Sequence, residues 1–351
     1  MASVLRSPVF RAIAQLGSTI LSPLVAGPLL LAATFYPEAV RPIFDSVTGS
    51  RGSTLITALQ AIVALGVVRK VNQVLNIMAS NSWRVAPRSD WDWQKEIAVV
   101  TGGSSGIGKD IAKGLAALGV RVAVLDIQDP PKNIASNPLI CFYHCDVTSS
   151  ESVTAAADSI RNDLGHPSIL INNAGVAQPA PILKTNEAFL RRILGVNLMS
   201  LWFTTQQFLP NMVEKNKGHV FTVASVASFV ALATSADYSA TKAGALAFHE
   251  TLGVELKHKY EATNVLTSII HPNFVRTPLL NGLSERLEKA GVRLLESEMI
   301  AGEVVAQIKS GRGGQLVIPR ASTFISGIRG WPTWLQEIVR DSVAKVAVEH
   351  D

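Results

Sequence analysis

Ile97-Ala98-Val99-Val100-Thr101-Gly102-Gly103-Ser104-Ser105-Gly106-Ile107-Gly108-Lys109-Asp110-Ile111-Ala112-Lys113-Gly114-Leu115-Ala116-Ala117-Leu118 reads as a buried strand, a glycine turn and a helix in immediate succession. Ile97 to Val100 is a short unbroken apolar run, and from Lys109 apolar residues recur at helical spacing. Gly102, Gly106 and Gly108 permit a tight turn and a close approach of bare backbone to a pyrophosphate, whose charge the free N–H groups of the helix start would meet. A glycine cluster alone means little; one placed between a strand and a helix means much more.

The next strand, Val120 to Leu125, ends at Asp126. A carboxylate there can accept from both ribose hydroxyls of an adenosine and repels a 2′-phosphate, so NAD(H) is favoured over NADP(H). No arginine stands between Gly103 and Ser105 to bind that phosphate. The turn signals Asp129-Pro130-Pro131 leave open a plainer reading of Asp126 as a turn or cap residue. Further apolar runs follow at Leu139 to Cys145, Ile169 to Ile171, Val220 to Ala224, Val265 to Ile270 and Leu316 to Ile318. With helical segments between them, they predict an α/β fold: a Rossmann-type doubly wound parallel sheet of about seven strands. Ligands in such sheets bind at the carboxyl ends of the strands.

Tyr238 and Lys242, four residues apart on one helix, place a phenol beside an ammonium. A neighbouring cation favours the phenolate, so Lys242 is expected to draw Tyr238 down from its ordinary ~10 towards neutral pH. Alone the pair is common by chance. Its company is not: Thr101-Gly-x-x-x-Gly-x-Gly108, Asp146, Asn172-Asn-Ala-Gly175, Asn197, Ser225 and Tyr238-x-x-x-Lys242 occur in the order and spacing of the short-chain dehydrogenase/reductase family, which the chain resembles from about Glu96 to Pro319. Within it the chain most resembles the membrane and lipid-droplet branch of retinol dehydrogenase 10 and 17β-hydroxysteroid dehydrogenases 11 and 13. The apolar N-terminus, Ile169-Leu170-Ile171-Asn172-Asn173-Ala174-Gly175-Val176 and Asn211-Met212 ahead of Gly218-His219-Val220 carry that likeness.

The resemblance implies residue roles. Ser225, 13 residues before Tyr238, would bond the substrate oxygen, and Ser228, only 10 before it, suits that role less. Tyr238 would exchange a proton with that oxygen, Lys242 would lower the phenol's pKa and hold the nicotinamide ribose, and Asn197 would hold a water linking Lys242 to solvent. An NAD(P) cofactor would touch Gly102, Ser104, Ser105, Gly106, Ile107 and Gly108 at the turn, Asp126, and Asp146 and Val147 towards the adenine. Asn173 would lie towards the adenosine ribose and Val275 and Thr277 towards the carboxamide, with Ala174, Gly175, Pro272, Tyr238 and Lys242 also in the cofactor's reach. Two departures from the pattern stand out: Ala224 replaces a frequent first serine, and Asn273 replaces the glycine usual after Pro272.

Only 17% of residues are charged against 48% hydrophobic, and mean hydropathy is +0.27. Part of that apolar excess is expected in lipid. The net charge is +5 with no basic block, which argues against nucleic acid. Cys141 and Cys145 flank a strand-like run with His144, and neither a disulfide framework nor a metal site is expected. Ala12 to Pro37 has no charge and is long enough to span a bilayer; Gly52 to Val68 is a second uncharged run near the ~17-residue lower limit. Arg6 and Arg11 before the first run, and Arg69 and Lys70 after the second, favour a hairpin with both ends cytosolic. Pro23 and Pro28 also allow a hairpin half-inserted in one leaflet; a cleaved signal or a mitochondrial presequence fits less well.

The domain reading is a membrane anchor and linker over 1–92, a catalytic domain over 93–320 and an amphipathic tail over 321–351. The tryptophans of Ser82 to Trp93 suit a membrane junction or a connector packed on the domain. Leucines from Leu279 to Leu295 suggest an apolar lid or ordinary packing, and Trp334, Leu335, Ile338 and Val339 share a helix face that suits a lipid surface, the protein's own body or a second subunit. The expected function is hydride transfer between a nicotinamide cofactor and an alcohol or carbonyl of a lipophilic substrate such as a retinoid, steroid or fatty-chain lipid. The expected site is an endoplasmic reticulum or lipid-droplet membrane with the catalytic domain cytosolic, and the enzyme could be a homodimer. The rivals are a 3-ketosphinganine-type reductase, against which Asp126 weighs, and a non-catalytic lipid-surface scaffold.

Overall fold

The computed structural model describes residues 23–36, 38, 52–280 and 282–348. Strand β1, Ile97–Thr101, is buried along its whole length, as an unbroken apolar run must be if both faces of its sheet are covered. β2 (Arg121–Asp126) and β3 (Ile140–His144) lie to one side of it, and β4 (Ile169–Asn172), β5 (Gly218–Val223), β6 (Val265–Pro272) and β9 (Gly314–Ile318) to the other. The order is β3-β2-β1-β4-β5-β6-β9, all parallel. These seven strands are the seven apolar runs of the sequence.

Successive residues on a strand face opposite sides, so the runs feed two cores. Val100, Ile171, Phe221 and Ile270 pack under Ile111 and Leu115 of helix Gly106–Ala116 and under Ile300, Val304 and Ile308 of helix Ser297–Lys309. Val99, Leu170 and Val220 pack with Val153 and Ile160 of helix Ser150–Asp163, Phe208 and Met212 of helix Ser200–Glu214, and Leu252 and Leu256 of helix Ala236–His258. Each fully buried side chain of this kind is worth roughly 1.5–3 kcal/mol. A short parallel pair, β7 (Val275–Arg276) and β8 (Leu295–Glu296), was not read from the sequence; two residues are too few for any periodicity to register.

The chain forms two compact units, one ending at Ala79 and the other beginning at Ser80. In the first, helices Pro23–Phe35 and Gly52–Ala79 pack against each other. Arg69 and Lys70, expected beyond the second apolar run, lie inside the second helix, which continues to Ala79. Residues 12–22 of the first run lie outside the described residues. In the second unit, residues 80–92 are fastened rather than loose. Asn81 exchanges two hydrogen bonds with the backbone of Gly313, at 3.0 and 2.7 Å, and Arg88 N donates to Gly311 O at 2.9 Å. A Cβ on Gly311 would stand 2.1 Å from Arg88 O, so only glycine admits the strap there. Trp91 and Trp93 stack at 5.5 Å and pack on the sheet core, as a connector does, while Trp83 stays exposed.

Candidate active site

The glycine turn closes on itself and on β4. Gly102 and Gly106 take left-handed backbones, φ +64° and +50°. Gly108 approaches so closely that a Cβ there would sit 2.2 Å from Gly102 O and 2.4 Å from Asn173 Nδ2. Asn173 Nδ2 donates to Thr101 O at 3.0 Å and Gly102 O at 3.1 Å, and Thr101 Oγ1 accepts from the N–H groups of Asn173 and Ala174, each at 3.0 Å. Helix Gly106–Ala116 starts without a side-chain cap, leaving its first N–H groups for an anion. Asp126, at the carboxyl end of β2, accepts from Ser104 N on Oδ2 and from Gln128 N on Oδ1, each at 3.0 Å. The carboxylate is thereby aimed beside the turn with lone pairs to spare. Asp146 is exposed and held by Thr148, whose N–H and hydroxyl both reach its Oδ1, while Val147 is buried. Thr277 lies against the turn, its Cγ2 3.2 Å from where a Gly106 Cβ would be. Together these residues present close-approaching backbone, an open helix start and a carboxylate at one set of strand ends, an arrangement that can hold a dinucleotide.

At the carboxyl ends of β4 and β5 the remaining candidates meet. Ser225 follows β5 and Tyr238 sits in the first turn of helix Ala236–His258; their hydroxyls are hydrogen-bonded. Ser225 Oγ also accepts from Ala227 N at 3.2 Å. Lys242 is buried, its Nζ donating to Val223 O at 3.0 Å and lying 5.6 Å from the centre of the Tyr238 ring. Asn197 sits in a π-helical turn, Gly195–Met199, where the helix preceding Ser200 widens. Its Oδ1 accepts from Val176 N at 2.8 Å, and its Nδ2 donates to Val176 O at 2.9 Å and Thr241 Oγ1 at 3.2 Å. Gly175 lies between the two groups: a Cβ there would be 3.7 Å from Asn197 Oδ1 and 3.8 Å from Lys242 Nζ. The loop before Tyr238 is strained, with Thr234 at φ +60° while its carbonyl holds Ala180 N at 2.7 Å.

One expectation fails. Tyr238 is pushed above the ordinary phenol value, because burial disfavours the phenolate; the Ser225 hydrogen bond opposes this, and Lys242 is not among the influences. The physical reason is burial on both sides of the pair: it disfavours the phenolate at Tyr238 and lowers Lys242 itself to about 8.

A model of the family described as short chain dehydrogenase matches residues 96–288. The chain belongs to the short-chain dehydrogenase family. Dehydrogenase RED2 of Cochliobolus heterostrophus is 42% identical to it over 180 residues, 51% of this chain and 68% of the relative. Retinol dehydrogenase 10-B of Danio rerio is 31% identical over 240 residues (61% and 71%), and estradiol 17-beta-dehydrogenase 11 of Macaca fascicularis 32% over 222 residues (62% and 71%). In fold the chain resembles a short-chain dehydrogenase/reductase from Burkholderia phymatum solved with NAD, with TM-score 0.63, 22% identity, and coverage of 70% of this chain and 96% of that one.

In this short-chain dehydrogenase, Asn273 keeps out of the left-handed region despite standing where glycine is usual: its N–H donates to Ile318 O at 2.8 Å and its Oδ1 accepts from Phe274 N at 2.9 Å. His271, given no role from the sequence, backs the site. Its Nδ1 is 3.0 Å from Ser225 O and 3.2 Å from Ser228 Oγ, and Ser225 Oγ donates to Pro272 O at 3.5 Å. A single histidine in an apolar strand carries no signal that separates it from a core residue. Leu287, Leu294 and Leu295 are buried and serve packing, while Leu279 is part-exposed. In the tail, Val339 packs with Phe229, Val230 and Ile328, while Trp334 and Ile338 stay exposed. Among the described residues no cluster suits a metal ion.

Proposed function

We propose that this short-chain dehydrogenase is a membrane-anchored enzyme interconverting an alcohol and a carbonyl on a lipophilic molecule of retinoid, steroid or fatty-chain type, with residues 93–320 as its catalytic domain. The observation that carries the reading is the hydrogen-bonded Ser225–Tyr238 pair beside buried Lys242, at the strand ends that also carry the glycine cradle. Ser225 holds the substrate oxygen, and Tyr238 passes a proton to it or takes one from it. A nicotinamide, when bound, supplies or accepts the hydride. Lys242 holds the nicotinamide ribose, and Asn197, fixed by Val176 and Thr241, presents its Oδ1 on the same side as Lys242 Nζ. Gly102, Ser104, Ser105, Gly106, Ile107 and Gly108 seat the pyrophosphate, and Asp126 selects NAD(H) by accepting from the adenosine ribose.

The lipophilic substrate is supported by relatives named for retinol and estradiol and by the anchor. Helix residues Thr57–Ala79 are long and apolar enough to cross a membrane, and Leu65, Val68, Val71 and Leu75 are exposed. An endoplasmic reticulum or lipid-droplet surface, with the catalytic domain cytosolic, fits this arrangement. Exposed Met199, Trp202 and Val254, on helices flanking the site, support pairing of two copies. A screen of lipid alcohols and ketones in detergent, run with NAD(H) and NADP(H) and with Tyr238→Phe as control, tests the reading. Turnover that depends on Tyr238 and prefers NAD(H) is expected; turnover untouched by Tyr238→Phe overturns the mechanism.

A further inference from the structure

At the amino ends of β6 and β9, away from the strand ends that carry Ser225 and Asp126, the catalytic unit has a second cavity of about 210 Å³. Ser80, Ser82, Arg84, His249, Glu250 and Lys257 are in its wall. Two of these residues carry buried polar atoms with no protein partner: Arg84 Nε and His249 Nδ1. A guanidinium nitrogen can only donate, so what is missing at Arg84 is an acceptor.

The surrounding charge says which kind. Arg84 Nη1 is held by a neutral group, Asn264 Oδ1 at 2.6 Å. Burial lowers its pKa first, the charge of Arg88 next, and Arg312 adds to them; only Asp90 opposes, and Asp90 is itself paired with Arg88. Arg312 is fixed nearby by donating to Val85 O at 2.7 Å. Three guanidinium groups thus share one nearby carboxylate, with Glu250 exposed at the rim. An anion in the cavity would supply both the missing acceptor and the missing charge, and guanidinium matches phosphate oxygens best. The volume is several times the ~30 Å³ share of one water, ample for a phosphate group. Ser82 adds a device of its own: it and Trp83 both hold left-handed backbones, φ 53° and 60°, which bends the chain so that Arg84 turns into the wall.

We propose that this cavity is a phosphate-binding site whose anchoring donor is Arg84. The wall begins at Ser80, the residue after the last of the apolar helix. A lipid headgroup is therefore the favoured source, a point that rests on the anchor reading; the anion site itself does not.

The test uses the full chain in neutral detergent, titrated calorimetrically with dihexanoyl phosphatidate, dihexanoyl phosphatidylcholine and inorganic phosphate. Saturable binding of phosphatidate is expected, weakened about ten-fold or more by Arg84→Ala, less by Arg84→Lys, and strengthened by Glu250→Gln. Cofactor affinity should be unchanged in all three. Inorganic phosphate binding as tightly, with the same dependence on Arg84, upholds the site and makes the soluble anion its ligand. Absence of saturable binding by both phosphate probes overturns the proposal, as does binding indifferent to Arg84→Lys and Glu250→Gln, two changes that leave the fold's packing nearly intact. Whether residues 1–79 hold the protein on membranes is read separately by fractionation, so the two ideas can fail independently.

Discussion

In the proposed mechanism, Tyr238 and Asp126 are where single atoms decide the chemistry. Tyr238 keeps its proton well past neutrality in this environment, so it is set to donate rather than to stand as a phenolate. Tyr238→Phe removes the transferable proton and the Ser225 bond but no apolar bulk; turnover should fall ~10²–10⁴-fold with cofactor affinity nearly unchanged, as single-turnover and fluorescence titrations would show. Asp126→Ala leaves Ser104 N and Gln128 N without their acceptor. It should weaken NAD(H) and narrow the gap to NADP(H), measurable as the ratio of kcat/KM for the two cofactors; an unchanged ratio would refute its selective role. The identities of Ser225, Tyr238 and Lys242 were legible because spacing on a helix and interval along the chain survive folding. The direction of the Tyr238 shift was not, since sequence spacing reports how near two side chains are but not how much water folding removes around them. The role of His271 was illegible for a related reason: it lies in a contact with Ser225 O, 46 residues away in sequence.

Among elements, the glycine turn tolerates least. Gly108→Ala would gain helix propensity worth roughly 1 kcal/mol, yet its Cβ would fall 2.2 Å from the backbone oxygen of Gly102. Sterics win: the variant should melt at a lower temperature and lose most cofactor affinity, checked by thermal denaturation with and without NAD(H). The strand-turn-helix order was readable because every part of it is local. The π-helical turn at Asn197 was not, because an extra residue in a helical turn leaves the residue pattern almost untouched. Helix Gly52–Ala79 shows a third case. The apolar run stops at Val68, but Arg69 and Lys70 are good helix formers, and Val71, Val74, Leu75 and Ile77 continue on beyond them. Charge near a bilayer centre is costly, so under the proposed anchoring the lipid-buried part of this helix would be Gly52 to Val68, about 25 Å and short of a ~30 Å hydrocarbon core, although Thr57–Ala79 has the length to cross one. That favours a shallow hairpin over two full spans.

For the molecule as a whole, acid should be the weak point. His219, His249 and His271 are lowered by burial to about 3, 4 and 4, with neighbouring positive charge adding to each. Their unfolded value is 6.5, so between pH 6.5 and about 4 the unfolded chain binds more protons than the folded one. Stability therefore rises with pH across that window and is lost as pH falls through it. Urea midpoints should drop steeply from pH 7 to pH 4.5, and less steeply in His219→Gln. Removing residues 1–79 should leave the second unit soluble on membrane fractionation; continued sedimentation would mean that another surface, such as exposed Trp334 and Ile338, also holds it. All seven long strands were readable from apolar runs because both faces of a parallel sheet are covered, whereas the boundary between units lies at Ser80, within a stretch whose polar composition resembles any connector. The strand order carries one more consequence, for synthesis. β1 emerges first and ends in the interior of the sheet; β2 joins it, β3 joins β2, β4 takes the other flank of β1, and β5, β6 and β9 follow outward in turn. Every strand meets an edge that is open when it leaves the ribosome, and none must wedge between two already paired, so the sheet can grow by addition alone.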